Sequence, residues 1–556
     1  MRGLECNTLV EAFATLAPGN RDRPFLTFWQ PASTPAERVL TFGDFLTLSA
    51  RYAARFAADG AAAGDRVILV MPPGPEVMAA FAGAMFLGAV PAILAYPNFK
   101  IDPAKYAHGL HGVIANLSAR LVVLHQDFPA DLRSRVEAAA AGASIVSSAP
   151  GQESPLELDR LPAPAPSSIA FIQHSAGTTG LQKGVALSHR AVLTQLRHLY
   201  DALRCQPDDR LISWLPLYHD MGLIACFMLP LAAHLSVVMQ SPVDWVMAPA
   251  SMLELASRHR CTLGWLPNFA FQHLARRTPT DVKARLDLSP LRALVNCSEP
   301  VRAESVDEFL QAFGACGFGR EAAQASYAMA ENTFAVTQTA IGVAPSRVTI
   351  DRDGRRRTVV SSGRCLPGNE IRVVGDQGQD LGDLEVGELL VRSDSMLDGY
   401  FNRPDLTSRA VAGGWYRTAD LGFTSGGEVY VLGRKDDTII IAGRNIWPAD
   451  VEEIAARHDA VRDGRVVAFG VLNPSLGTQD LVVVAEAAAA PASDDAFRIE
   501  NDIRAAISRE LDLSPRVVQI TPQQWIVKSS AGKPARSATR DKFLAEFRGF
   551  ADRETS

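Results

Sequence analysis

The chain has 556 residues, 47% of them hydrophobic and 21% charged, with a formal net charge of −6 at pH 7. That length exceeds one ordinary core, so a soluble globular protein of two or more domains is expected. The slight acidity provides no basic field, which argues against nucleic-acid or membrane-surface binding and leaves small molecules or a protein partner as ligands.

The N-terminus has one early arginine, Arg2, and then acidic and polar residues. It lacks the basic and apolar regions of a signal peptide, so cytoplasmic residence is expected. Phe45, Leu48, Tyr52 and Phe56 fall on one helical face, and Gly60 can close that helix. Val67-Ile68-Leu69-Val70-Met71 reads as a buried strand ended by Pro72-Pro73-Gly74. Residues 77–96 are continuously apolar or small, which raises the question of a membrane span. Gly83, Gly88 and Pro91 interrupt the run and no basic cluster flanks it. A buried helix passing into a core strand at 90–94 is therefore expected, with no integral membrane association.

His108 and His111 share a helical spacing without a cysteine or carboxylate cluster nearby, so a surface or core pair is favoured over a metal site. The seven cysteines contain no Cys-x-x-Cys pair, which argues against zinc or a disulfide framework and fits a reducing compartment. Leu121-Val122-Val123-Leu124 repeats the strand signal, and the Pro/Ala/Ser-rich 161–168 is a surface connection.

That connection leads through an apolar run, 169–172, into Ser175-Ala176-Gly177-Thr178-Thr179-Gly180-Leu181-Gln182-Lys183-Gly184. Three glycines let the backbone approach a ligand closely, two threonines add hydroxyl donors, and Lys183 supplies a cation. A nucleotide phosphate is the natural guest. Taken alone, the loop is also compatible with a flexible turn, and it lacks the Gly-x4-Gly-Lys-Ser/Thr pattern of a P-loop.

Further motifs follow: Trp214-Leu215-Pro216-Leu217-Tyr218-His219-Asp220-Met221-Gly222, Asn296-Cys297-Ser298-Glu299-Pro300, and Tyr327-Ala328-Met329-Ala330-Glu331. Then come Gly414-Trp415-Tyr416-Arg417-Thr418-Ala419-Asp420, Gly433-Arg434-Lys435-Asp436-Asp437, and Ser530-Ala531-Gly532-Lys533. In this order they resemble the adenylate-forming superfamily, which contains acyl-CoA synthetases, fatty acyl-AMP ligases, luciferases and peptide-synthetase adenylation domains. The resemblance covers essentially the whole chain. His219-Asp220-Met221-Gly222, Pro267-Asn268-Phe269-Ala270 and Ala330-Glu331 look most like the fatty acyl-AMP ligase branch. Gln182 stands where many members have proline, which touches loop stiffness rather than charge.

From residue 371 the pattern changes to short strands with Gly and Asp turns, at 386–391 and 429–432, so a small β-rich subdomain is expected. Beyond it, an apolar stretch at 438–442 and a helix-like 449–456 begin a separate C-terminal domain, with 487–493 a loop inside it. The expected architecture is α/β: a large layered N-terminal domain with the β-rich subdomain, residues 1–433, a hinge at 434–437, and a small α+β domain at 438–556. Mobility of that last domain about Asp436 is what the resemblance implies.

Adenylation of a carboxylate needs charge neutralised on the triphosphate, a fixed ribose, and a carboxylate aligned on the α-phosphorus. The resemblance implies that Ser175, Gly177, Thr178, Thr179, Gly180 and Lys183 cradle ATP phosphates, and that Glu331 is the Mg2+ ligand. It further implies that Asp420 accepts the ribose hydroxyls, that Arg434 helps hold ribose and α-phosphate, and that Tyr327 and Ala328, with Ser298 and Glu299, meet the adenine. Each has an ordinary alternative: a solvated lysine, a helix-cap carboxylate, a surface ion pair, a core aromatic. Lys533 is implied to enter the site for the first half-reaction only, stabilising charge at the α-phosphorus.

Trp214, His219 and Phe269 are candidates for the acyl pocket, with a core histidine as the alternative for His219. Asp220 does not match the aspartate by which amino-acid-activating relatives pair a substrate ammonium, so an apolar carboxylate, a medium or long fatty acid, is expected. Between Glu331 and Gly363-Arg364-Cys365-Leu366-Pro367 the fatty acyl-AMP ligases carry a long insertion, and this chain has a shorter one. Residues 348–350 and 358–360 flank Asp353-Gly354, a hairpin signal with Arg352, Arg355, Arg356 and Arg357 at its tip. A solvated basic hairpin is favoured over a docking site. Because the family's insertion is thought to disfavour CoA, the shortening leaves the acceptor open between CoA and the phosphopantetheine of an acyl carrier protein or polyketide/peptide synthase.

Overall fold

A computed structural model describes every residue except 1, 17–18, 98–102, 139, 141, 150–153, 175–182, 353–354, 442–443, 474–475, 477, 491–492, 529–533 and 548–556. The chain divides into two compact units. The first comprises Met1–Ser175, Leu181–Thr418 and Gly422–Val431, and the second is chiefly Leu432–Ser556 with Ala419–Leu421.

Two largely parallel sheets form the frame of the first unit. One runs in the order Val90–Ile93, Arg66–Val70, Leu121–Leu124, Ser144–Ser147, all parallel. The other has seven strands in the order Ala323–Ala325, Ala293–Asn296, Leu263–Leu266, Arg210–Ser213, Ser236–Gln240, Pro24–Trp29, Glu37–Thr41. Only its last pair is antiparallel. Strands such as Leu121–Leu124 and Leu263–Leu266 are buried along their whole length, because helices cover both faces of a parallel sheet and leave no polar side.

The helix expected around Phe45 spans Phe42–Ala58, opened by a Thr41/Asp44 capping box and followed by Gly60 at φ +87°. It packs on helix Pro75–Phe86, in which every residue except Glu76 is buried. The apolar run at 77–96 is thus a core helix and then the strand Val90–Ile93. Among the described residues no helix is long and apolar enough to cross a membrane.

A third, antiparallel sheet positions the candidate site. It joins Ile169–His174, Gly184–Ser188 and the short Gly399–Tyr400. The glycine-rich segment therefore lies between two paired strands, although residues 175–182 themselves are outside the described residues. The β-rich subdomain is a five-stranded sheet that includes Asn369–Val374, Gly387–Ser393, Trp415–Ser425 and Glu428–Arg434. Its core is built from Val336, Val373, Leu389, Val391 and Val429 together with Tyr327.

In the second unit a sheet of Val461–Asn473, Thr478–Ala487 and Val517–Thr521 is covered on both faces. Alternate residues decide which face is which. Val466, Ala468, Val483 and Ala485 meet helices Pro448–Ala456 and Ser493–Leu511, whereas Val467, Phe469, Val482 and Val484 meet Phe543 of helix Arg536–Glu546.

Candidate active site

Lys183 is exposed immediately before strand Gly184–Ser188, and its ammonium lies 5.1 Å from the centroid of the Tyr400 ring. The Tyr400 hydroxyl donates to Glu331 Oε1 at 2.8 Å and lies 3.1 Å from the Tyr416 hydroxyl. Both tyrosines are buried, and burial followed by the Glu331 charge holds the Tyr416 phenol far above its ordinary pKa. The predicted phosphate-binding cation and the predicted metal-binding carboxylate thus meet on one tyrosine that sequence reasoning did not single out.

Glu331 sits in a single 3-10 turn, Ala330–Asn332, closed by Thr333 at φ +61° and ψ −53°. There the Phe334 amide reaches the Asn332 carbonyl at 2.5 Å, a γ-turn geometry that a β-branched residue adopts only under constraint. The Thr333 hydroxyl donates to the Ser395 carbonyl, and Asn332 Nδ2 donates to the Ala335 carbonyl, both at 2.8 Å, which supplies that constraint.

His219 Nδ1 lies 2.6 Å from Asp220 Oδ1, with Asp220 only 7% exposed. Asp220 also accepts from the Met221 amide at 2.7 Å and so opens the π-type helix Met221–Met228. Gly222 is required there, because a Cβ would stand 2.4 Å from the Pro216 carbonyl oxygen. Gln173 Nε2, one strand away, donates to the Tyr218 carbonyl at 2.6 Å and ties this turn to the strand that enters the glycine-rich segment. Burial pushes the Tyr218 phenol up to about 12.

Trp214 stacks on Trp245 at 3.8 Å with an interplanar angle of 1°, and Phe269 meets both rings edge-on. Trp214 and Phe269, the two aromatic residues expected at an acyl pocket, are therefore brought together in one aromatic cluster, which also contains Trp245, a residue that sequence reasoning did not single out.

Ser298 stands at φ +68° beside buried Cys297. Glu299 accepts from the Phe269 amide at 3.1 Å and thereby caps the start of helix Asn268–Arg277. Tyr327 is buried in the β-rich core, and Ala328 forms an isolated bridge with Ala335. All seven cysteines lie among the described residues; no disulfide forms, and six of the seven are buried.

Within the second unit, Asp420 and Arg434 come together at 3.3 Å, Oδ1 to Nη1. Asp420 follows Ala419, whose φ of +56° turns the strand at this point. Asp436 is exposed in the 3-10 turn Lys435–Asp437. Ser175, Gly177, Thr178, Thr179, Gly180 and Lys533 lie outside the described residues.

Mg2+ takes one or two carboxylates and leaves its other positions to water and substrate phosphates. Among the described residues no group of three or more His, Cys, Asp or Glu side chains is placed to cage a metal. A single half-buried Glu331, with one oxygen fixed by Tyr400, fits a cation that arrives with a nucleotide.

The family profile described as "AMP-binding enzyme" matches residues 13–401. The chain is 31% identical to the long-chain fatty acid–AMP ligase FadD32 of Mycolicibacterium smegmatis, over 91% of this chain and 89% of that one. It is 30% identical to the medium-chain fatty acid–[acyl-carrier-protein] ligase JamA of Moorena producens, with 86% of each covered. A structure from a study of fatty acyl-adenylate ligases of E. coli and L. pneumophila superposes with a TM-score of 0.90 at 26% identity, covering 99% of this chain and 100% of that one.

Proposed function

The chain belongs to the AMP-binding enzyme family of adenylate-forming ligases, and from that premise we propose that it activates a medium- or long-chain fatty acid for transfer to an acyl carrier protein. The observation that carries this reading is the convergence of Lys183 and Glu331 on Tyr400 at the exit of the glycine-rich segment.

In the first half-reaction a carboxylate oxygen of the fatty acid attacks the α-phosphorus of ATP. The α–β anhydride bond breaks, and pyrophosphate leaves with its electron pair. Lys183, with Ser175, Gly177, Thr178, Thr179 and Gly180, holds the phosphates. Asp420 takes the ribose hydroxyls and Arg434 supports ribose and α-phosphate. Glu331 holds Mg2+, which when bound neutralises phosphate charge. The Lys533 ammonium is delivered where negative charge accumulates on the α-phosphate. Trp214 and Phe269 line the acyl chain, and Asp220 fixes the His219 ring beside it.

In the second half-reaction the phosphopantetheine sulfur attacks the acyl carbonyl carbon, loses its proton to solvent, and AMP departs. The domain organisation suited to this division is an N-terminal domain at 1–433, a hinge about Asp436 within 434–437, and a mobile domain at 438–556. The carrier acceptor draws support from the relative named for transfer to acyl-carrier protein. One rival keeps a specific basis. The hairpin Arg347–Val360 is short beside the family's long insertion, which favours an acyl-CoA synthetase to the extent that the insertion disfavours CoA.

Mass-spectrometric product analysis with ATP, a fatty-acid panel, and either CoA or a phosphopantetheinylated carrier protein tests both parts. Acyl-AMP and pyrophosphate are expected with a fatty acid alone, and a thioester chiefly on the carrier. Absence of pyrophosphate release across the panel removes the activation reading, and preferential acyl-CoA formation selects the rival.

A further inference from the structure

We infer that Tyr400 is a positioning residue that sets Glu331 for its cation while holding Lys183 to the phosphate side, an inference that rests on the reading of Glu331 as the Mg2+ ligand. Its side chain is shared between the two groups. The hydroxyl donates to Glu331 Oε1 at 2.8 Å, and the ring face carries the Lys183 ammonium at 5.1 Å. The hydroxyl has one proton; with that proton given to Glu331, the Tyr416 hydroxyl 3.1 Å away serves as donor to the Tyr400 oxygen. Glu331 thus meets two neutral phenols, Tyr400 at Oε1 and Tyr416, whose bond to the carboxylate helps hold the Tyr416 phenol high, and the Tyr400 bond fixes how the carboxylate is presented to a cation.

The backbone around Tyr400 connects the same two places. The Leu397 amide donates to the Glu331 carbonyl at 2.8 Å. The Asp398 and Phe401 amides donate to the Ala186 and Gly184 carbonyls at 2.9 and 2.8 Å, and Tyr400 pairs with Val185. Residues 397–401 are thus a strap from the turn of Glu331 to the strand that begins one residue after Lys183. Gly399, at φ +146°, keeps the strap close to Thr407, where a Cβ would stand 3.3 Å from the hydroxyl oxygen. That hydroxyl accepts from the Tyr400 amide at 2.9 Å. Tyr400 is fixed by main-chain bonds on both sides, so its phenol has a defined aim.

A buried phenol with only a packing role would tolerate loss of its hydroxyl without change in metal dependence. A positioning role gives a different signature: Tyr400→Phe keeps the ring under Lys183 and removes the bond to Glu331. The test is calorimetric binding of ATP to the full chain, with Mg2+ and with EDTA, for the parent, Tyr400→Phe, Tyr416→Phe and Glu331→Gln. In Tyr400→Phe, metal-free ATP affinity should match the parent. The gain in affinity on adding Mg2+ should shrink by about tenfold, as loss of a hydrogen bond to a charged group predicts. Tyr416→Phe, which removes a phenol in contact with both Tyr400 and Glu331, should lose in the same direction.

An unchanged Mg2+ gain in Tyr400→Phe, while Glu331→Gln loses it, overturns the inference and leaves the metal reading standing. A Mg2+ gain unchanged in Glu331→Gln removes the metal reading, and the inference with it. Equal weakening with and without Mg2+, or a lowered melting temperature alone, assigns Tyr400 to the fold.

Discussion

Asp420 and Arg434 are fourteen positions apart in sequence and 3.3 Å apart in the fold, in the second unit. Asp420→Ala removes an acceptor proposed for the ribose and should raise the KM for ATP about tenfold or more, with the fatty-acid KM little changed; an unchanged ATP KM in folded protein contradicts the assignment. His189 gives a pH dependence. Its ring Nδ1 accepts from the Leu9 amide at 3.2 Å, and burial pushes its pKa down to about 4. The unfolded chain therefore takes up the proton first as pH falls below about 6.5, and stability declines toward pH 4 by about 1.4 kcal/mol per pH unit for this group. His174, buried and also pushed down to about 4, adds a second slope of the same sign. His198 and His234, also held below the ordinary imidazole value by burial, act in the same direction. Urea unfolding from pH 7 to 5 should show the loss, and His189→Gln should flatten it by less than half; identical slopes for variant and parent exclude the histidine. The candidate residues that sequence reasoning names are those in contiguous motifs with a chemical signature. Tyr400 and Asp220 escaped it for a physical reason: a phenol 69 residues from Glu331 has no local periodicity or spacing to mark it, and Asp220 was considered only as a substrate partner, whereas its contact is with its own neighbour.

The elements were more legible than the contacts between them. Helix Phe42–Ala58 announces itself by its apolar stripe and its closing glycine, and the strand pair Arg347–Arg352 with Arg355–Val360, in which Thr349 stands opposite Thr358, by the hairpin signal Asp353-Gly354, which itself lies outside the described residues. Pairing order across the seven-stranded sheet was not legible, because short strands buried on both faces carry no signal of their neighbours. Helix Arg536–Glu546 shows a similar long-range dependence in the second unit. Its first residue, Arg536, is hydrogen-bonded to Asp437, beside the proposed hinge, and to Glu452 Oε1 at 2.8 Å, with its side chain 24% exposed. Glu452 Oε1 also accepts from the Ala468 amide at 3.0 Å. The bridge between Lys528 and Pro534 closes the chain just before this arginine. Arg536→Met strands two carboxylates and should cost about 3 kcal/mol, the lower end for a buried pair because the site is partly wet. Arg536→Met with Glu452→Gln should recover part of that loss, since fewer charges remain uncompensated. Chemical denaturation of the two variants measures it, and equal losses contradict the charge argument.

For the molecule as a whole, encounter with a protein partner is governed by where charge is concentrated rather than by net charge. A carrier protein of acidic surface would be steered by a local basic feature rather than by the chain's overall −6. The hairpin offers one. Arg347 is committed to the fold, bonding Asp307 of helix Ala303–Phe313 at 2.6 and 2.8 Å, and so anchors the base of the hairpin. Arg356 is exposed toward the other end, next to Arg355 and Arg357 in sequence. Replacing Arg355, Arg356 and Arg357 with serine changes charge beyond that anchor, so stability should move by no more than about 0.5 kcal/mol. If the hairpin receives a carrier, transfer to it should slow and become less salt-sensitive, while acyl-AMP formation stays at the parent rate, because exposed charges act on encounter. Stopped-flow transfer from preformed acyl-AMP across a salt series separates these. Rates that coincide for variant and parent at every salt concentration identify the arginines as a solvated tip and move the search for the carrier surface elsewhere on the fold.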